Sequence, residues 1–296
     1  MQVDIDFEFL KGLLSKNGPD PSDYERLSSH IAVIYEAKLA GFISDEQITR
    51  VRSALGEVLT AETMQGFAYQ KPHGYAGDFE IIDKIYRNHK TSQKNLEKWD
   101  DYFHTLAAPK AVRNRKEYFV NLLNTISEKY PEAKVLNIAS GPGRCMNSWM
   151  EENPKNSVSI ECIELDPKAI EFSKKLNSKY LDKIHFEEKN ILRFKPKKKY
   201  HLIWASGIFD YFNDNVFSAL VKRLTPALEE GGSLIIGNFA VGNPSQPEME
   251  VFGKWILNHR SAEQLMELAS TVSDDVSDIS VNSEREGVNL FLHIMK

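Results

Sequence analysis

Two glycines, Gly141 and Gly143, follow directly on the run Val135-Leu136-Asn137-Ile138-Ala139-Ser140, and a carboxylate, Glu164, closes the next apolar run about twenty residues later. Glycines let a backbone pass close to a ligand, and a carboxylate at a strand end can hold both hydroxyls of a ribose. The pairing points to a nucleoside-containing cofactor. Met146 stands where a dinucleotide fingerprint wants its third small residue, which disfavours a nicotinamide dinucleotide. Two further groups of residues carry chemistry. The stretch 67–79 reads as a loop from its two glycines and a proline, yet it is rich in aromatic and ionisable groups, among them His73, Tyr75 and Asp78. Arg113 and Arg115 lie two residues apart before a helix, so at most one faces inward. An arginine fork binds a carboxylate in a bidentate way.

Those residues need elements to position them. From Lys134 onward strand-like and helical runs alternate. The strands are read at Val135–Ala139, Ser159–Glu164, Ile184–Glu187, His201–Ala205, Ser233–Phe239, Ile279–Ser283 and Leu290–Ile294. Helical stretches fill most of the intervals, for example Asp166–Ser178, Asn215–Leu228 and Ser261–Leu268. This rhythm predicts an α/β fold with a doubly wound, mostly parallel seven-stranded sheet. The connection Glu284–Asn289 is too short for a parallel crossover, so the last strand should run antiparallel. Residues before about 66 read as helical. One helix follows Pro21-Ser22-Asp23 and ends at Gly41, and another opens on the capping box Ser44-Asp45-Glu46-Gln47; the two should pair antiparallel. Helical pattern resumes at Ile81 and runs on to Leu106, Pro109 breaks it, and a further helix carries Tyr118, Phe119 and Leu122. The expected division is a helical extension or lid over 1–108 and a cofactor-binding domain over 109–296.

Composition narrows the function. The net charge of −5 leaves no global field to attract nucleic acid or anionic lipid, and the run Lys195–Lys199 reads as a solvated turn. Two cysteines, Cys145 and Cys162, suggest neither a disulfide scaffold nor a zinc site, and no metal is expected. The acidic start Met1–Asp6 lacks an export signal and no run is apolar enough for a membrane span, so the expected location is cytoplasmic.

With these elements in place, residues 134–296 resemble the class I S-adenosylmethionine-dependent methyltransferases, whose Rossmann-like domain has this strand pattern. The resemblance rests on four places. Ala139-Ser140-Gly141-Pro142-Gly143 looks like the first motif, which lies beside the methionine and ribose of the cofactor. Glu164 matches the acidic residue on the ribose hydroxyls, with Leu165 against the adenine. Asn190-Ile191 stands where the family usually has an aspartate and an apolar residue; Asn190 could accept from the adenine amino group or simply turn the backbone. Trp204–Phe212 resembles the segment flanking the transferred methyl, which implies Ser206 and Gly207 at the cofactor, Phe209 at the acceptor and Tyr211 at the reacting methyl. Tyr211 and Phe212 could equally be core. The implied cofactor is S-adenosyl-L-methionine and the implied product S-adenosyl-L-homocysteine.

The acceptor is approached by exclusion. No Asn-Pro-Pro-Tyr or Asp-Pro-Pro-Tyr follows the fourth strand and no Pro-Cys nucleophile exists, which argues against base, amide and cytosine methylation. The loop His73–Asp78, the segment Arg113-Asn114-Arg115 and the stretch Trp255–Arg260 resemble a bacterial subgroup linked to hydroxypalmitic acid methyl ester. That resemblance implies carboxyl O-methylation of a small or fatty acid. We expect Arg115 and Tyr75 at the cofactor and Asp78, Arg113, Trp255 and Arg260 at the acceptor; a surface salt bridge is the plain alternative for Arg115, and loop stabilisation the alternative for His73 and Asp78. His73 is the first candidate base should the acceptor be a hydroxyl. A natural-product or peptide O- or N-methyltransferase and a non-catalytic cofactor-binding regulator are the other readings, followed by an NAD-dependent dehydrogenase.

Overall fold

The structure, a computed structural model, describes residues 5–270, 272 and 276–296. Residues 1–4, part of the run read above for an export signal, lie outside the described residues. The chain divides into two compact units: Met1–Lys110 with Asn243–Ile256, and Ala111–Gly242 with Leu257–Lys296. The segment Asn243–Ile256, left in the second part by the sequence reading, thus groups with the first.

The α-helices in chain order are α1 (Phe7–Ser15), α2 (Tyr24–Leu39), α3 (Asp45–Leu55), α4 (Met64–Gln70), α5 (Phe79–Tyr86), α6 (Glu97–Thr105), α7 (Ala107–Lys129), α8 (Arg144–Glu152), α9 (Pro167–Leu176), α10 (Asp214–Leu224), α11 (Gln246–Val251) and α12 (Ala262–Ala269). The strands are β1 (Lys134–Ile138), β2 (Ser159–Glu164), β3 (Ile184–Glu188), β4 (Tyr200–Ala205), β5 (Leu228–Phe239), β6 (Asp278–Ser283) and β7 (Asn289–Met295).

In the second unit the strands form one sheet in the order β3-β2-β1-β4-β5-β7-β6. β7 runs antiparallel to both β5 and β6, and the other neighbours pair in parallel. Side chains alternate between two apolar layers because successive strand residues point to opposite faces. Leu136, Ile138, Ile203 and Leu234 pack with Phe217 and Leu220 of α10 and Leu265 of α12. Val135, Leu202, Trp204 and Ile235 pack with Phe119 and Leu123 of α7 and Met146 and Trp149 of α8. Burial on both faces is why these strands read as continuous apolar runs. Asp166 caps α9 ahead of Pro167, and Asn213 caps α10, so each of these helices starts where a side chain takes up a first-turn N–H.

The first unit is helical around Trp99, with Leu27 and Ile31 of α2, Val51 and Leu55 of α3, and Val251 and Phe252 at the end of α11 in one core. The Ser44 capping box forms as expected. The expected α2–α3 pair is replaced by different partners: α2 packs on α11 and α3 on α1. A partner about 200 residues away in sequence leaves no local signal. Arg52 fixes that segment by donating from Nε to the Val251 carbonyl (2.7 Å) and from Nη2 to the Glu250 carbonyl (2.9 Å). Two boundaries also move. Phe67-Ala68-Tyr69-Gln70 belong to α4 rather than to the loop, which begins at Lys71. Pro109 sits in the first turn of α7 instead of ending a helix, where the missing N–H costs nothing.

Candidate functional site

The turn after β1 takes left-handed backbone at Ala139 (φ 51°), Gly141 (φ 55°) and Gly143 (φ 70°). Strain at a non-glycine such as Ala139 persists only where the surroundings enforce it, and it clusters at ligand sites. The two glycines do different work. A Cβ on Gly143 would lie 1.9 Å from Ser173 Oγ and 2.9 Å from Asn177 Nδ2, so this glycine lets α9 pack against the turn. A Cβ on Gly141 would meet nothing within 4 Å, so the space beside that residue is open. Gly143→Ala is therefore expected to cost about 2–3 kcal/mol of stability, the left-handed penalty of about 1–2 plus overlap with α9. Gly141→Ala is expected to lose only about 1 kcal/mol but to weaken binding of any ligand in that open space. Thermal melts of both variants with and without nucleoside ligands separate the two roles.

Glu164 ends β2 and is almost fully buried. Its Oε2 accepts from Gly141 N–H (2.9 Å), and its Oε1 accepts from Leu165 N–H (2.8 Å) and Asp166 N–H (3.1 Å). These three donors hold the carboxylate rigidly and occupy three of its roughly four acceptor positions. The remaining position is on Oε2, the oxygen that accepts from Gly141 N–H. Leu165 is 58% exposed, an apolar side chain presented at the same strand end. Ser140 Oγ is buried without a well-formed hydrogen bond among the described residues. Asn190 Oδ1 accepts from Leu192 N–H (2.8 Å) and caps the short turn Ile191–Arg193, while Ile191 joins the core.

At the end of β4 the site gains a cation. Arg115 on α7 is buried, donates from Nη1 to the Ser206 carbonyl (2.5 Å), and lays its guanidinium 3.6–3.8 Å from where a Gly207 Cβ would stand. A Cβ at 207 would rest in ordinary van der Waals contact with that guanidinium. Arg115 Nε has no partner among the described residues. Of the pair weighed in the sequence, Arg115 is the one turned inward onto β4. Arg113 is half-buried and desolvation pulls its pKa below the usual value.

The sequence reading missed Asp210. It is buried between apolar neighbours, accepts from Phe239 N–H at 2.6 Å, and burial pushes its carboxyl up to about 6 while Arg115 and Arg260 pull it back down. A lone carboxylate inside Ile208-Phe209-Asp210-Tyr211-Phe212 was the available signal, since a buried charge needs a cation nearby.

Two acceptor-side expectations in this unit give way to packing and bracing. Phe209 is fully buried against Phe217 in the core. Arg260 is buried and its donors are spent on protein: Asn238 Oδ1 (2.8 Å), the Phe212 carbonyl (2.5 Å), the Phe209 carbonyl (3.3 Å) and Asp214 (3.0 Å). Asn258 adds N–H donors to the Asp210 carbonyl (2.7 and 3.0 Å). Together they fix the backbone of 209–212, which carries the 39%-exposed Tyr211.

In the first unit, Asp78 is buried and caps α5 by accepting from Glu80 and Ile81 N–H (both 2.9 Å), a structural job in place of the expected acceptor contact. His73 Nε2 pairs with Glu80 Oε2 at 2.9 Å, its ring lies tilted by 46° against Phe79 with centroids 4.5 Å apart, and its Nδ1 has no partner among the described residues. Tyr75 is partly exposed in the loop and Trp255 is largely buried.

No helix of the described residues is long and apolar enough to cross a membrane, and among the described residues no cluster of metal-ligating side chains occurs. No curated protein sequence matches the chain significantly. Solved structures do. A possible exported protein from Bordetella parapertussis is 17% identical with a TM-score of 0.62, covering 74% of this chain and 79% of that one. The magnesium protoporphyrin IX methyltransferase of Synechocystis, solved with S-adenosylhomocysteine bound, is 12% identical with a TM-score of 0.52, covering 73% and 93%. A "putative O-methyltransferase" from Nostoc punctiforme is 15% identical with a TM-score of 0.50, covering 74% and 67%. At these identities the likeness is one of fold, and it is the Rossmann-like methyltransferase fold. The sequence itself matches the family described as "Putative methyltransferase" over residues 44–275, well beyond half its length, and the protein belongs to that methyltransferase family.

Proposed function

We propose that this protein transfers a methyl group from S-adenosylmethionine to a carboxylate oxygen of a small or fatty acid, as in the subgroup linked to hydroxypalmitic acid methyl ester. The observation that carries the cofactor assignment is Glu164, buried and locked by three backbone N–H groups with an acceptor position left on the oxygen that accepts from Gly141 N–H. That arrangement suits one ribose hydroxyl directly. Leu165 offers an apolar surface for the adenine, and Arg115 a cation for the methionine carboxylate. The residues present therefore fit the cofactor.

S-adenosylmethionine, when bound, supplies an electrophilic methyl on a sulfonium. The chain's own part is to align and desolvate the acceptor. A carboxylate is already a nucleophile near neutral pH and needs only orientation, for which Arg113 and Tyr211 are the acceptor-side residues we assign. One observation favours a second reading, a hydroxyl acceptor in a natural product or peptide. Glu80 engages His73 Nε2, which leaves Nδ1 as the nitrogen that could take a proton.

Incubation of the purified protein with methyl-tritiated S-adenosylmethionine and a host small-molecule extract tests the choice. Label released as methanol by mild base identifies a methyl ester. Label that is incorporated but stable to base rejects the carboxylate and moves the assignment to the hydroxyl, with His73→Gln the first variant to measure.

A further inference from the structure

The turn that joins β6 to β7 is built around one buried carboxylate, Glu284. Its Oε1 accepts from Val288 N–H (2.8 Å) and Asn289 N–H (3.0 Å), and its Oε2 accepts from Glu286 N–H (2.8 Å). Those three donors belong to the turn itself. The fourth comes from α7, 170 residues earlier in the chain: Asn114 Nδ2 donates to Oε2 at 2.7 Å. Four donors fill the acceptor positions of a carboxylate. Asn114 is buried as well, and its Oδ1 accepts from Arg285 Nε (2.8 Å), so consecutive residues of the turn hold both ends of its amide. About one helical turn further along α7, Tyr118 Oη pairs with His293 Nε2 (2.7 Å), and its ring stacks on Phe291 with centroids 4.0 Å apart. The hairpin of β6 and β7 thus grips α7 at 114 and at 118.

Arg115 is the next residue after the first grip. Its Nη1 donates to the Ser206 carbonyl, and its buried Nε has no partner among the described residues. A guanidinium at the end of a long side chain moves with any rotation or slide of the helix that carries it, and bidentate binding of a carboxylate tolerates little displacement. Apolar contacts are non-directional, whereas a carboxylate and an amide bonded at both ends fix one register. We propose that Glu284 is a positioning residue for cofactor binding, acting through Asn114 to set α7 where the Arg115 guanidinium meets the cofactor's methionine carboxylate. The inference rests on the cofactor assignment made above.

The test compares two ligands on the intact protein. S-adenosylhomocysteine carries the amino-acid carboxylate, and 5′-methylthioadenosine keeps the nucleoside and sulfur without it. Glu284→Gln preserves size but turns an NH2 group toward either Asn114 Nδ2 or the N–H groups of Val288 and Asn289, so a donor meets a donor. The S-adenosylhomocysteine Kd is expected to weaken about threefold to tenfold while the 5′-methylthioadenosine Kd changes by less than about twofold. Adding Asn114→Asp to Glu284→Gln exchanges amide and carboxylate across the bridge and should restore most of the lost affinity. In an Arg115→Met background, Glu284→Gln should weaken S-adenosylhomocysteine binding no further. An unchanged S-adenosylhomocysteine Kd, equal weakening of both ligands, no recovery in the exchanged pair, or an undiminished effect beside Arg115→Met overturns the role of Glu284. Should Glu284→Gln not fold, Asn114→Ala decides the same comparison, because it removes the bridge and leaves the turn's own three hydrogen bonds. Failure of S-adenosylhomocysteine to bind the unaltered protein would overturn the cofactor assignment, and the proposal with it.

Discussion

Glu164→Ala is expected to weaken S-adenosylhomocysteine binding by about 1.5–3 kcal/mol, roughly tenfold to a hundredfold or more in Kd. The magnitude is that of a hydrogen bond to a charged acceptor in a partly desolvated site. Two effects contribute. The ribose loses its acceptor, and the N–H groups of Gly141, Leu165 and Asp166 lose the carboxylate that now holds the turns after β1 and β2 in register. The second effect should appear as a modest loss of stability in the ligand-free protein. Isothermal titration together with a thermal melt measures both. Unchanged affinity in a folded variant would remove the ribose assignment, and with it the main support for the cofactor.

Arg115→Met should act on stability and on binding at once. Methionine fills much of the same volume but removes the Nη1 donor that holds the Ser206 carbonyl. A hydrogen bond from a charged group contributes about 1.5–3 kcal/mol, so urea denaturation at pH 7.5 should show a loss of that order. The Michaelis constant for S-adenosylmethionine should rise more than that for the acceptor. The opposite split would move Arg115 to the acceptor side.

Both predictions turn on residues that differ in how they could be recognised. Glu164 is visible in the sequence because it follows an apolar run at a fixed distance from a glycine turn, and strand order places the two ends side by side. Arg115 is one of two arginines two residues apart, and nothing local says which of them turns inward onto the Ser206 carbonyl. The same contrast separates Gly143 from Gly141. Both are glycines in a turn, yet one is needed for helix packing and the other borders open space.

What the sequence by itself determined is the alternating order of the second unit and its closing antiparallel strand. Continuous apolar runs, capping residues and a connection too short for a crossover are local signals, and strand and helix formation follow them directly. It also determined the turn after β1 and the carboxylate after β2, because a single crossover joins them. Tertiary structure alone decided the rest. Residues 243–256 leave the sheet-bearing unit in sequence and pack with the helices of the first, where Arg52 holds the carbonyls of 250 and 251. Arg260, a sequence candidate for the acceptor, became a brace for the backbone of 209–212, and Phe209 became core. The placement of 243–256 and of Arg260 depends on partners about fifty to two hundred residues away. Charge, burial and donor supply at such a contact are properties of the folded neighbourhood, and a periodicity in the chain carries no record of them.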